Sequence, residues 1–255
     1  LSPMAMVGLK VVANNGSALA NFHYGFVHYT LKHYTKATPY LKYAADRKNY
    51  TSCHYLGDIF YMDEYFNLQL ARKYLSQAAI HLKNAEDAFR MGTITYGDES
   101  IKWMDMAINY DPKGYSFKIG LLYSFGNKNI GIEPDKNKAE YIFMKYYKHF
   151  TYDQLLKIAN SFYNGEPLNQ NYKNARQLYK EAADRDDRDN ETATKVFIAM
   201  CLKGEGGAEC VPESYIQRVA CSNDPDYKVY ALYYAQILMK RERYESALYY
   251  LDRAD

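Results

Sequence analysis

Six histidines and four cysteines are the residues of this chain best suited to metal or nucleophilic chemistry. The histidines are His23, His28, His33, His54, His81 and His149. His23, His28 and His33 step by five, a rotation of about 140° per step around a helix, so they form no ligand face. The cysteines are Cys53, Cys201, Cys210 and Cys221, and their spacing matches no zinc template. Asp184 to Glu191 is dense in carboxylates but lacks the glycine and the twelve-residue pattern of a calcium loop, so it reads as a solvated interhelix linker. No Gly-x4-Gly-Lys-Ser/Thr, His-Glu-x-x-His or Gly-x-Ser-x-Gly occurs. No pair of carboxylates stands in an apolar setting that would tune one of them as an acid. The expectation is a protein that is not an enzyme, with no metal and no cofactor. An enzyme reading would have to rest on Arg90, Asp58 and His23, the titratable or charged groups that fall near one another in repeat order.

The elements that must position any site are legible in composition and spacing. The chain has 255 residues, 48% apolar and 24% charged, which excludes wholesale disorder. Lys and Arg number 32 against 30 Asp and Glu, a net of +2, which argues against a nucleic-acid partner. No run approaches the roughly 18 apolar residues of a membrane helix. Only 7 Pro and 14 Gly favour helices with short connections. Tyr is abundant, at 29, against a single Trp.

One pattern recurs along the chain: a small residue with large apolar or aromatic residues on either side of it. The small positions are Gly25, Gly57, Gly92, Gly120, Ala159, Ala199 and Ala235, with steps of 32, 35, 28, 39, 40 and 36. In the sixth copy the register could slip by one and place Ile198 in the small slot. A second pattern alternates with the first, two alanines seven residues apart: Ala37 and Ala44, Ala71 and Ala78, Ala175 and Ala182, Ala247 and Ala254. Seven residues is two helical turns, so each pair lies on one face. Glycine in mid-helix costs up to about 1 kcal/mol of propensity, so a recurring one implies a close helix partner. The reading is a helix pair repeated about seven times, in which neighbours stack because no pair can bury its own apolar surface. Repeats are placed at about 16–49, 50–83, 84–112, 113–150, 151–189, 190–223 and 224–255, after the end of a partial repeat at 1–15. They form a single α-solenoid. Gly126, Gly165 and Gly204 should cap first helices, and Asp98 and Asp135 should cap second helices at their starts.

Leu56-Gly57 with Ala71 and Ala78-Ala79, and Ile158-Ala159 with Asn164-Gly165, Ala175 and Ala182-Ala183, resemble Sel-one-like repeats (SLR), relatives of the tetratricopeptide repeat. Lys203-Gly204-Glu205-Gly206 continues the likeness, which spans nearly the whole chain. The resemblance implies an all-α, right-handed α-α superhelix used for protein binding and assembly.

Counting from the small residue, positions −2 and +1 should share the exposed face of the first helix. The −2 set is His23, Tyr55, Arg90, Lys118, Lys157 and Tyr233. The +1 set is Phe26, Asp58, Thr93, Leu121, Asn160 and Gln236. In tetratricopeptide-like solenoids this face lines the concave groove, so these residues are the candidate partner-binding set. Phe26 and Leu121 are apolar where exposure is expected, which fits contact either with the next repeat or with a partner. Tyr29, Tyr61, Tyr96 and Tyr163 recur at first-helix ends, either as core aromatics with hydroxyls at the rim or as an adhesive surface.

The chain opens at Leu1, for which a removed signal peptide is one candidate, and the cysteines are either buried or free thiols or, at Cys201 and Cys210, a disulfide. Together a removed signal peptide and a disulfide would point to the periplasm or secretion in a bacterium, with the cytoplasm as the alternative. The expected function is a non-enzymatic protein-binding scaffold of the bacterial envelope. Under the resemblance it is an immunity protein or adaptor that neutralises a secreted toxin, or else an envelope-assembly scaffold. Uncapped ends would allow a homo-oligomer. Tyr249, Tyr250 or Leu251 should contact something beyond this sequence, unless residues are missing.

Overall fold

The small residue at the centre of each first helix predicts that another helix presses against it. The structure, a computed structural model, describes residues 2–185, 191–208 and 212–255. Its described residues form fifteen α-helices, a few single 3-10 turns and one isolated bridge between Asn127 and Ile132. They divide into two compact units, 1–135 and 136–255, and the boundary falls inside the repeat placed at 113–150.

The first unit holds α1 (Pro3–Asn14), α2 (Ala18–Thr30), α3 (Tyr34–Ala45), α4 (Tyr50–Tyr61), α5 (Leu68–Leu82), α6 (Ala85–Ile94), α7 (Asp98–Tyr110) and α8 (Pro112–Phe125). Here α2 pairs with α3, α4 with α5 and α6 with α7. The second unit holds α9 (Lys136–Tyr146), α10 (Tyr152–Asn164), α11 (Tyr172–Asp184), α12 (Glu191–Lys203), α13 (Glu213–Cys221), α14 (Tyr227–Lys240) and α15 (Tyr244–Ala254). Within it α10 pairs with α11 and α14 with α15, while α13 packs mainly on α14.

The close approach has a defined partner. Each second helix of the first unit places one fully buried side chain, four residues after the first member of its small pair, over the facing glycine. A Cβ added at Gly25 would stand 2.8 Å from Leu41 Cγ and 3.1 Å from the Leu41 backbone nitrogen. At Gly57 it would stand 2.6 Å from Leu75 Cδ2 and 3.2 Å from the Leu75 backbone nitrogen. At Gly92 it would meet the flexible Met104 Cε at 2.7 Å. The flanking small residues Ala37, Ala44, Ala71, Ala78, Ser100 and Ala107 have no exposed surface. They form the flat face that lets Leu41, Leu75 and Met104 reach the glycines.

The sixth copy takes the slipped register. Ile198 is 2% exposed while Ala199 faces solvent. Thr194, Phe197, Ile198 and Cys201 of α12 are buried in the same order as Leu155, Ile158, Ala159 and Phe162 of α10. A branched side chain therefore occupies the slot that holds Gly or Ala elsewhere.

Links between the helices also repeat. The backbone N–H of the residue just before a second helix donates to the carbonyl three positions past the small residue. Asn67 donates to Phe60 at 3.0 Å, Asp135 to Tyr123 at 2.7 Å and Asn171 to Phe162 at 2.8 Å. Asn67 and Asn171 also cap their helices through side-chain oxygens. Gly126 and Gly165 end α8 and α10 at positive φ, as caps of that kind require. Asp98 departs from its expected capping role. Gly97 holds the cap position, and Asp98 is the first helical residue, where its charge favours the helix N-terminus.

At the chain ends, α1 lies against α2 through the buried Ala13. In α15 Tyr250 is occupied by contacts within the chain. It is 7% exposed, its ring is 4.7 Å from that of Tyr234, and its hydroxyl meets Cys221 Sγ at 3.4 Å. Leu251 packs partly on the same cluster, and Tyr249 stays exposed.

The glycines give a graded prediction for urea denaturation. Gly57→Ala is expected to lose about 1–3 kcal/mol through overpacking against Leu75. Gly92→Ala should lose less, because Met104 can move aside. Gly8→Ala, where an added Cβ meets nothing within 4 Å, should gain up to about 1 kcal/mol from helix propensity. Equal shifts at all three sites would show that close approach does not select the glycines.

Candidate functional site

The exposed side of the first helices in the first unit is a bonded network. Tyr29 ends α2, and its hydroxyl donates to the carboxylate of Asp58 on α4. Tyr61 ends α4, and its hydroxyl lies 3.0 Å from Thr93 Oγ1 on α6. In both cases the tyrosine four past the small residue reaches the +1 residue of the next repeat. Position +1 also meets position −2 of the next repeat. The Phe26 ring is 5.0 Å from Tyr55, and Asp58 Oδ1 is 2.7 Å from Arg90 Nη1. Arg90 also pairs with Glu86 at 2.7 Å and lies over the Tyr61 ring at 5.3 Å. Tyr55 packs against Tyr29 as well, with ring centres 4.7 Å apart. Burial, then the bond to Asp58, pushes the Tyr29 phenol well above its ordinary range, so it remains a donor.

This network alters the expected exposure. Asp58 is 8% exposed, because it sits between Tyr29 and Arg90 rather than facing solvent. Phe26, Tyr55, Arg90 and Thr93 are half-buried for the same reason, and Leu121 is half-buried on α8. His23 and Lys118 face solvent in the first unit. Lys157, Asn160, Tyr233 and Gln236 do so in the second. The His23 ring lies tilted against Phe22, with centres 5.0 Å apart. Asp58 and Arg90 thus meet directly, but they neutralise each other, and His23 is outside their ion pair.

Beneath the network lies a pair that the spacing rules overlooked. His54 on α4 places Nδ1 2.9 Å from a carboxylate oxygen of Asp87 on α6. Asp87 is fully buried, and its own backbone N–H is held by the Asn84 side chain. The hydrogen bond to Asp87 raises the His54 pKa against the opposing effect of burial. Burial raises that of Asp87, and His54 offsets part of the rise. The available signal was a separation of 33 residues, one repeat length, between a histidine and an acid on consecutive first helices.

The remaining tyrosines divide. The Tyr163 ring lies tilted against Tyr172, with centres 5.2 Å apart, and burial together with Glu205 raises its pKa. Tyr96 is 69% exposed but lies over Gly131. Tyr179 is buried, and burial pushes its phenol up to about 12. Of the disulfide candidate, Cys201 is buried at the end of α12, and Cys210 lies outside the described residues. Most of the acidic linker, 186–190, is also outside them. Among the described residues no group of three or more His, Cys, Asp or Glu could hold a metal ion, and no helix is long and apolar enough to cross a membrane.

No protein-family model and no curated protein sequence matches the chain. Among solved structures it is similar to a Sel1 repeat protein from Oxalobacter formigenes, at 16% identity and a TM-score of 0.55, over 98% of this chain and 85% of that one. It is also similar to a protective antigen present in uropathogenic Escherichia coli strains that displays an SLR fold, at 18% identity and a TM-score of 0.49. That match covers 98% of this chain and 56% of the antigen, so the chain spans little more than half of its length. The first likeness shows the fold, an all-α Sel1-like helical repeat.

The His54–Asp87 pair has a signed pH dependence. In a nuclear magnetic resonance titration the His54 imidazole should show a midpoint above the ordinary 6.5, and Asp87→Asn should bring it down. The folded value exceeds the unfolded one. The histidine's contribution to stability is therefore full below about pH 6.5 and lost as pH rises through the folded value. A midpoint at or below 6.5 in the unaltered protein would contradict the pairing.

Proposed function

We propose that this chain is a protein-binding helical-repeat scaffold whose first-helix face receives the partner. The observation that carries this reading is the division of that face. Phe26, Tyr55, Asp58 and Arg90 are committed to repeat-to-repeat contacts, and His23 and Lys118 are exposed where another molecule can reach them. A surface fixed by its own network loses little side-chain freedom on binding, which favours affinity. The Asp58–Arg90 pair is more useful as a brace than as acid and base, which supports a binding role over a catalytic one. Within this reading we favour an immunity or adaptor role against a secreted toxin in the bacterial envelope, over an envelope-assembly scaffold. The support for an oxidising compartment is the pair Cys201 and Cys210.

Two measurements test this. A photo-crosslinking amino acid at His23, Lys118, Lys157 or Tyr233 should capture a distinct polypeptide in cells of the source organism. The same group at Lys102, on the exposed side of α7, should not. Equal labelling from both sets would remove the proposed face, and capture of a second copy of the chain would favour a self-associating scaffold. For the compartment, alkylation of unfolded protein without reductant should modify two of the four cysteines, Cys53 and Cys221, and intact mass should show the loss of two protons. Four alkylated thiols would overturn the disulfide.

A further inference from the structure

The slipped register of α12 leaves a space that the first unit fills. In the first repeat the +1 residue is Phe26, and its ring packs on Tyr55, the −2 residue of the next repeat. With Ile198 in the small slot, the corresponding residues are Ala199 and Tyr233. The wall is present and the ring is missing. The residue at +4, Tyr29 in the first repeat, is here Leu202, so the hydroxyl tie between neighbours is missing too. A cavity of about 290 Å³ opens at this point between α12, α13 and α14, lined by Ala199, Leu202, Val229, Tyr230 and Tyr233 above a floor that includes Ile198. Leu202 is 41% exposed and Val229 54%, so apolar surface faces solvent around the opening.

One side of the cavity is acidic. Asp226 lines it, and Lys195 Nζ lies 2.8 Å from Asp226 and 3.0 Å from Asp224. One cation against two carboxylates leaves a net of −1 at the rim. The volume lies at the lower edge of the roughly 300–1,000 Å³ typical of small-molecule sites, so it suits a side chain better than a nucleotide-sized cofactor.

We propose that this pocket seats an aromatic side chain of a partner polypeptide, in the place Phe26 fills in the first repeat, with a basic residue of the same segment meeting Asp226. The inference rests on the scaffold reading and specifies the partner's chemistry. An aromatic anchor in a preformed pocket is the usual form of an interface hot spot. The protein supplies its own template for the fit, an aromatic ring about 5 Å from a tyrosine at −2.

The test uses the full chain with labelled methyl groups and the probe N-acetyl-Phe-Arg-amide. Saturable shifts are expected at the methyls of Ile198, Leu202 and Val229. N-acetyl-Ala-Arg-amide should bind about tenfold more weakly, since it lacks the buried ring. Ala199→Phe supplies that ring from the protein itself, so it should abolish the shifts while leaving the thermal midpoint no lower. If that variant fails to fold, Tyr233→Ala, at a half-exposed wall position, should weaken binding by a similar factor. Asp226→Asn should weaken the Phe-Arg probe but not N-acetyl-Phe-Gln-amide. Equal binding of the Phe and Ala probes, or unchanged binding by folded Ala199→Phe or by Tyr233→Ala, would overturn the proposal. Crosslinks from His23 and Lys118 read the scaffold function separately. Dipeptide failure with those crosslinks intact removes only the pocket, and their loss with dipeptide binding intact removes only the first-unit face.

Discussion

The contact on which the rest depends is a side chain lying on a bare backbone. Leu41 and Leu75 press onto the glycines of α2 and α4 from their second helices. Burying a leucine or methionine is worth roughly 1.5–3 kcal/mol, which exceeds the propensity cost of a mid-helix glycine. That contact fixes how closely each pair packs and therefore which residues of the first helix are turned to the next repeat. Positions +1, +4 and −2 come within bonding reach because the pair beneath them is close. The Tyr29–Asp58–Arg90 chain follows from the glycine slot.

Neighbouring repeats are joined through two layers of different chemistry. Small alanines and large aliphatic residues make the inner layer, where shape decides. Phenol, carboxylate and guanidinium make the outer layer, where direction decides. The half-buried ion pair is held on both sides, by Tyr29 on the carboxylate and by Glu86 on the guanidinium. Isolated exposed pairs contribute little, but in a braced and partly desolvated set the loss of one member leaves its partner's charge uncompensated. Tyr29 and Tyr61 belong to this outer layer. A phenol spans the gap between adjacent first helices with an apolar body and ends in a donor, which phenylalanine cannot do.

Much of this was legible in the sequence, since spacing encodes packing. The small slots at 25, 57 and 92, the Ala pairs, the glycine caps at 126 and 165 and the helical fold all follow from local periodicity. What stayed hidden depends on two repeats at once. Asp58 looked exposed when α4 was read alone, and its burial comes from Tyr29 on one neighbour and Arg90 on the other. The pairing of His54 with Asp87 was missed for the same reason. The sixth register was undecided because Ile198 and Ala199 each satisfy one half of the pattern. Only burial of Thr194, Phe197 and Cys201 settles it.

The bond from the residue before each second helix to the carbonyl three past the small slot has a consequence for how such a chain can change. It ties off the intervening segment at its base in three repeats, although the tied segments are of unequal length. Helix spacing is set by the knot and not by the cord within it. Lengthening the segment between Phe60 and Asn67 costs only the slow logarithmic rise of loop-closure entropy. These segments are therefore the places where new residues can be grafted, by evolution or by an engineer, with the stacking of the repeats left undisturbed.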